Sequence, residues 1–358
     1  MTTALYAFLA ILIFGLLIGV HEFGHFAAAK LCGVRVNEFS IGMGPLLFQR
    51  TKGETDYSLR LLPFGGYCAM EGEDEDSPDE RALNHQPFHK QFIIFVAGAA
   101  MNFLTGFLII LCLYIGAQAF YTTEIMGFAE GFPYEGEDGI LVGDEIYKIN
   151  GERIYTRSDV STILQFKSRG DTMELVVRRE GEKLTRTLEK QTYTDADGNE
   201  YRAYGFTYGG VEEATAARKL KYAWYNTLDY VRLVRLSLQM LVSGAAGVKD
   251  LNGPVGIVST ISEMGHETEE QEGKGAAIES VLYYGALIAV NLAVMNLLPL
   301  PALDGGKVLI LVVNAASMRL MKKKIPQKFE TAINAAGFAL LMALMLFVTL
   351  QDVWKLVK

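Results

Sequence analysis

His21-Glu22-Phe23-Gly24-His25 sets two imidazoles four residues apart, with a carboxylate beside the first. On a helix that spacing is about one turn, so both rings lie on one face and can converge on a single metal ion. Glu22 then stands next to the metal as a general base, the arrangement of a zinc peptidase. Between Met1 and Cys32 only Glu22 and Lys30 carry a fixed charge. The motif is therefore written into a stretch apolar enough to cross a bilayer, where a carboxylate costs about 3 kcal/mol and needs a reason to be present. The bland alternative is a pair of polar residues hydrogen-bonded inside a helix bundle.

Catalytic zinc takes three protein ligands and keeps a fourth position for water. A third ligand emerges by elimination. Between Glu279 and Glu330 the only acid is Asp304, in Asn296-Leu297-Leu298-Pro299-Leu300-Pro301-Ala302-Leu303-Asp304-Gly305-Gly306, and before Glu38 the only acid is Glu22. Two histidines and two carboxylates are the whole set of candidate groups in these two apolar regions. Together they read as one metalloprotease site: His21, His25 and Asp304 around one Zn2+ per chain, with Glu22 catalytic. Pro299 and Pro301 interrupt the helix before Asp304, and Gly305-Gly306 allows close chain approach where the ligand turns inward. A broken helix at membrane depth is tolerated where it lines a water-filled cavity, which hydrolysis requires.

His85 and His89 also have four-residue spacing, but Pro87 between them starts a helix that leaves His85 outside, and neither has an adjoining glutamate. His266, in a polar run, reads as a surface-loop residue.

The elements that must position this chemistry follow from composition. The chain has 358 residues, half of them hydrophobic, and a net charge of −8. Four stretches, uncharged apart from the motif in the first, exceed the roughly 20 residues that cross a bilayer: about Ala4 to Ala29, Phe92 to Thr123, Ser280 to Leu303, and Thr331 to Gln351. The first lacks a basic lead-in and a small-residue cleavage site, so it reads as a retained span. Lys307, Arg319, Lys322, Lys323, Lys324 and Lys328 place the segment between spans three and four in the cytoplasm. Alternation then puts both termini and the long region between spans two and three outside. The negative balance argues against nucleic-acid binding. Cys32, Cys68 and Cys112 show no paired spacing and read as packing residues.

HEFGH in a first span and NLLPLPALDGG two spans later resemble the site-2 protease family of intramembrane zinc metalloproteases, and within it the bacterial regulator-of-sigma-E branch. The pattern N-x-x-P-x-P-x-L-D-G is matched at Asn296, Pro299, Pro301, Leu303, Asp304 and Gly305. The resemblance implies zinc on His21, His25 and Asp304, water activation by Glu22, and a bacterial inner-membrane location. It also brings an A-G-P-x-x-N motif, here Ala97-Gly98-Ala99-Ala100-Met101-Asn102, with alanine in place of proline. Val36 to Met70 reads as two strands around Lys52-Gly53, ending at Pro63-Phe64-Gly65-Gly66-Tyr67. The family makes this a membrane-entering β-hairpin whose edge could pair with an unwound substrate. Gly65, Gly66, Asn102, Asn296, Pro299 and Pro301 are the candidate substrate contacts.

From Tyr121 to Gly210 the composition turns soluble. Gly143-Asp144-Glu145-Ile146 and Lys148-Ile149-Asn150-Gly151 resemble the signature of bacterial PDZ domains. The expected fold is an α-helical polytopic membrane protein with four transmembrane helices, the β-hairpin, and one inserted extracytoplasmic PDZ-like α/β domain. Its divisions are an N-terminal membrane core (1–120), the PDZ-like domain (121–210), an amphipathic membrane-surface region (211–276) and a C-terminal membrane core (277–358). The expected function is hydrolysis of peptide bonds within single-span membrane proteins, such as an anti-sigma factor or remnant signal peptides. The alternatives are a catalytically silent membrane scaffold that binds partners through its PDZ-like domain, and a metal transporter using the same ligands.

Overall fold

The computed structural model describes residues 3–73, 75–167, 170–194, 198–247, 249, 251–322 and 326–357. Asp74 of the acidic loop and Lys323 and Lys324 of the basic segment lie outside them. The chain forms two compact units, one of residues 1–109 with 237–358, the other of residues 110–236.

The first unit is helical. Among the described residues four helical stretches are long and apolar enough to cross a membrane: Thr3–Cys32, Phe88–Gly116, Lys274–Asn296 and Lys328–Lys355. They belong to helices α1 (Thr3–Cys32), α2 (Phe88–Leu113, prolonged by a short turn), α6 (Lys274–Asn296) and α8 (Gln327–Val357). Phe338, Leu340 and Leu346 of α8 are left bare, as suits a multi-pass protein solvated by lipid rather than water. Two boundaries differ from expectation. The second span stops at Gly116 rather than Thr123, and the third ends at Asn296, before the prolines rather than beyond them. Absence of charge marks what can enter the bilayer, whereas proline marks where the helix must stop.

Two further helices complete the unit, α5 (Pro254–Glu272) and α7 (Asp304–Met321). Ile261 of α5 packs with Tyr6, Ala10 and Leu17 of α1 and with Val281 and Ala289 of α6. His266 lies on α5 beside Glu270, one turn on, and not in a loop. The expected 211–276 surface region is thus not one element. Its second half is this bundle helix, and its first is α4 (Ala216–Val242), which has protein neighbours of its own.

Strands β1 (Val36–Lys52) and β2 (Thr55–Met70) pair antiparallel around Gly53, which takes φ +67°. The hairpin folds back on itself, so that Tyr57, close to the Gly53 turn, faces Phe39, and both pack on Phe26 of α1 with ring centroids 5.9 and 5.0 Å away. In the middle of β1, Met43, Leu46, Leu47 and Phe48 are about half exposed or more. The Phe39–Tyr57 part is anchored in protein and the Met43–Phe48 stretch presents apolar side chains outward.

The second unit holds strands β3 (Ala119–Tyr121) and β4 (Ile125–Phe128), then β5 (Glu145–Ile149), β6 (Glu152–Arg153), helix α3 (Arg157–Lys167), β7 (Thr172–Arg179) and β8 (Glu182–Glu189). β9 (Gln191–Thr194), β10 (Glu200–Ala203), β11 (Phe206–Tyr208) and β12 (Val211–Glu213) follow. The main sheet runs β6-β5-β7-β8, with β11 paired to β4 and β12 to β3. Met173, Leu175 and Val177 alternate inward from β7 to meet Ile146, Ile149, Val160 and Ile163. β5 is entered through Gly143 and left through Asn150 and Gly151, all with positive φ. The Gly-Asp and Asn-Gly pairs read in the sequence are therefore the two turns that bound a buried strand.

Helix α4 joins this core. Leu236 is part of it, and Arg232 reaches the fully buried Asp159 of α3, 3.3 Å away. Asp159 also accepts the amides of Tyr155 and Thr156. Asp229 shares Arg232 at 3.7 Å. Burial, and then the neighbouring Asp159 carboxylate, push Asp229 up to about 8.

Candidate metal centre

The HExxH segment lies in the second half of α1, where His21 and His25 are both buried. Their Nε2 atoms are 3.2 Å apart, and Asp304 Oδ2 lies 3.2 Å from each. A tetrahedral zinc ion with bonds of about 2.0–2.1 Å sets its donors about 3.3 Å from one another, so this near-equilateral triangle has the right size. His25 Nδ1 lies 2.8 Å from the Ile94 carbonyl and donates to it, which leaves Nε2 with its lone pair. Asp304 Oδ2 is buried and has no hydrogen-bond partner. Lone pairs and a carboxylate aimed at one point repel unless a cation joins them, so the donor set fits zinc. It is the one such His/Cys/Asp/Glu group among the described residues. His85, by contrast, is held in a short helical turn by the Asp79 carbonyl.

Asp304 reaches the histidines because the chain doubles back. After α6 ends at Asn296, residues 297–303 turn with Ala302 at φ +70°, and α7 begins at Asp304. A Cβ on Gly305 would lie 2.3 Å from the Leu297 and Leu298 carbonyl oxygens, and one on Gly306 2.2 Å from that of Leu300. The two glycines allow the turn to fold onto the first turn of α7, which fixes where Asp304 starts.

A cavity of about 580 Å³ opens onto the three donors and Glu22, with walls from Tyr67, Met70, Phe95, Asn296 and Lys307. Lys307 Nζ meets Glu73 Oε1 at 2.5 Å on its rim. The candidate substrate contacts divide. Asn296 lines the cavity. Asn102 lines it too, with no solvent-exposed surface and its amide nitrogen 3.4 Å from His21 Nδ1. Gly66 supports Glu22 from the hairpin, since a Cβ there would lie 2.8 Å from the Ser40 carbonyl and 3.4 Å from Glu22 Cγ. Gly65 abuts Met43 of the facing strand. Pro299 and Pro301 lie outside the cavity wall, and Pro301 packs on Gly337 of α8.

Gly98 is the neighbour that sequence reasoning did not single out. A Cβ there would lie 2.4 Å from His25 Nε2 and 2.9 Å from His21 Nε2. Only the missing side chain lets α2 pass this close to the donors. Gly24, inside the HExxH segment, plays the reciprocal part, for a Cβ would lie 2.5 Å from the Ala97 carbonyl oxygen. The resemblance had placed Gly98 in a motif, but its spacing in the chain says nothing about which atoms it faces.

Comparison with known proteins places the chain among peptidases. The model of peptidase family M50 matches residues 9–344. The chain is 37% identical over 352 residues to a protein of Clostridium perfringens named as a zinc metalloprotease, covering 98% of each. It is 34% identical over 347 residues to one of Clostridium acetobutylicum with the same type of name, covering 96% of each. The zinc metalloprotease RasP of Shouchella clausii is 28% identical over 432 residues, with 98% of this chain and 99% of the relative covered.

Proposed function

The chain belongs to peptidase family M50 and is a zinc metalloprotease of the membrane, and we propose that it hydrolyses peptide bonds inside the transmembrane segments of single-span proteins. His21, His25 and Asp304 hold the zinc, and Glu22 is the general base. The observation that carries this reading is the 3.2 Å triangle of donors beside Glu22, two of them on a helix apolar enough to span a bilayer.

Bound zinc supplies a Lewis acid that polarises the scissile carbonyl and acidifies a water. Glu22 takes the proton of that water and returns it to the leaving amine, two transfers by one carboxylate. Asn296, on the cavity wall, is placed to hydrogen-bond the substrate main chain. A helical substrate hides its peptide bonds in its own ladder and must be drawn out extended. The β1–β2 hairpin, with exposed apolar side chains in the middle of β1 and β2 running past Glu22, is the element that enters the membrane and takes the extended chain as an added strand. The sheet-rich unit is a PDZ-like domain on the outer face of a bacterial inner membrane, and both termini share that side. The basic residues around α7 support this orientation. Substrates are single-span proteins such as a trimmed anti-sigma factor or remnant signal peptides.

The test is cleavage of a model single-span substrate in detergent by the parent and by Glu22→Gln, with bound zinc quantified in both. Loss of cleavage with about one zinc per chain retained is the expected result. Equal cleavage by both proteins would remove Glu22 from the mechanism.

A further inference from the structure

We infer that Asn102 is a positioning residue for the metal centre: its side-chain oxygen accepts the His21 Nδ1–H and so fixes the tautomer whose Nε2 can bind a metal. The inference rests on the assignment of His21 as a zinc ligand, and it goes beyond that assignment by naming what orients the ring.

Asn102 sits on α2 with no solvent-exposed surface, at the edge of the cavity beside His21. The amide as placed points its nitrogen at His21 Nδ1, 3.4 Å away, and leaves Oδ1 buried with no hydrogen-bond partner. Nitrogen and oxygen of an asparagine amide have nearly the same shape, so the hydrogen-bond network decides which way it faces. With the nitrogen toward His21, Asn102 donates, Nδ1 must be bare, and the ring proton sits on Nε2. That proton would lie between His25 Nε2 and Asp304 Oδ2, each 3.2 Å away, and would occupy the lone pair the metal needs. With the amide turned over, Oδ1 accepts the Nδ1 proton, Nε2 is free to ligate, and the buried oxygen gains its partner. Both requirements choose the second orientation.

His25 is served in the parallel way, by the Ile94 carbonyl. One helix, α2, thus sets the tautomer of both imidazoles, once through main chain and once through a side chain. The main-chain acceptor survives any substitution that keeps the helix, so the side-chain acceptor is where mutation can act. Metal-bound histidines generally give their second nitrogen's proton to such an acceptor, and its loss weakens metal binding.

The experiment is competition for zinc against a chromophoric chelator, using the full chain in detergent as parent, Asn102→Asp and Asn102→Leu. Aspartate keeps an acceptor and has no donor, while leucine keeps volume and has neither. Asn102→Asp is expected to hold zinc within about threefold of the parent and Asn102→Leu about 10- to 100-fold more weakly. Loss of zinc by Asn102→Asp, with the parent loaded, would overturn the acceptor role, and so would a leucine variant that binds as tightly as the parent. The aspartate result decides the matter if the leucine variant does not fold. A parent that holds no zinc would overturn the metal centre itself and is read before either variant.

Discussion

Replacing Gly98 by alanine tests the metal centre without touching a ligand. The added Cβ would lie 2.4 Å from His25 Nε2, 2.8 Å from His21 Cε1 and 2.9 Å from His21 Nε2. Non-bonded contacts of this kind settle at about 3.5 Å, so the nearest needs roughly 1 Å of movement. Zinc donors tolerate displacements of about 0.2 Å. Neither ring has room to yield sideways: His25 is held to Ile94, and His21 faces Asn102. The strain must therefore widen the donor triangle or part α1 from α2. We expect zinc affinity to fall at least about 100-fold, or about 2.8 kcal/mol, measured by chelator competition on the full chain. Alanine is the better helix former by up to about 1 kcal/mol, so poor helix formation would not explain the loss. Gly19→Ala on α1 is the control, because a Cβ there meets nothing within 4 Å. If Gly98→Ala bound zinc as tightly as the parent, the close approach of α2 to the donors would not constrain the site and the reasoning would be refuted.

Gly66→Ala should behave in the opposite way: its Cβ presses on the Ser40 carbonyl and approaches Glu22 Cγ while sparing the donors. Zinc should stay bound while turnover drops by up to about 100-fold, the scale of a misplaced catalytic group; equal loss of both would contradict separate roles. Asp229→Asn probes the other unit. A carboxyl raised to about 8 in the folded chain from about 4 unfolded keeps its proton on folding. Its stabilising effect is complete below about pH 4 and is lost as pH rises toward 8, at up to about 1.4 kcal/mol per unit. The asparagine variant should therefore gain thermal stability relative to the parent between pH 5 and 8.5; a gap that does not change with pH would show Asp229 to be ionised throughout.

What the sequence disclosed and what it withheld divide along physical lines. HExxH was legible because its spacing is the helix repeat, and Asp304 because ionisable residues are so scarce in apolar segments that each stands out. The turns bounding β5 were legible because Asn150-Gly151 and Gly143 carry their backbone preference in their identity. The ends of the second and third spans were misread, since an uncharged run continues through the turn after the helix has stopped. α4 reads as amphipathic whether its apolar face meets lipid or Leu236's neighbours in the core. The register of β1 and β2 shifts repeatedly between Val36 and Phe48, and no alternation of residues records it. Gly98 escaped for the plainest reason: its importance is a distance to another helix.

The three donors come from opposite ends of the chain, two on α1 and one at the start of α7. While the ribosome is still translating, the nascent protein carries only half a centre. Its first helix enters the bilayer with two imidazoles and a base but no carboxylate to complete the triangle. Hydrolytic competence arrives only once α6 has been inserted and the chain has turned back at Ala302. On the proposed zinc assignment, a chain truncated before α7 keeps the two imidazoles and lacks the carboxylate that completes the triangle.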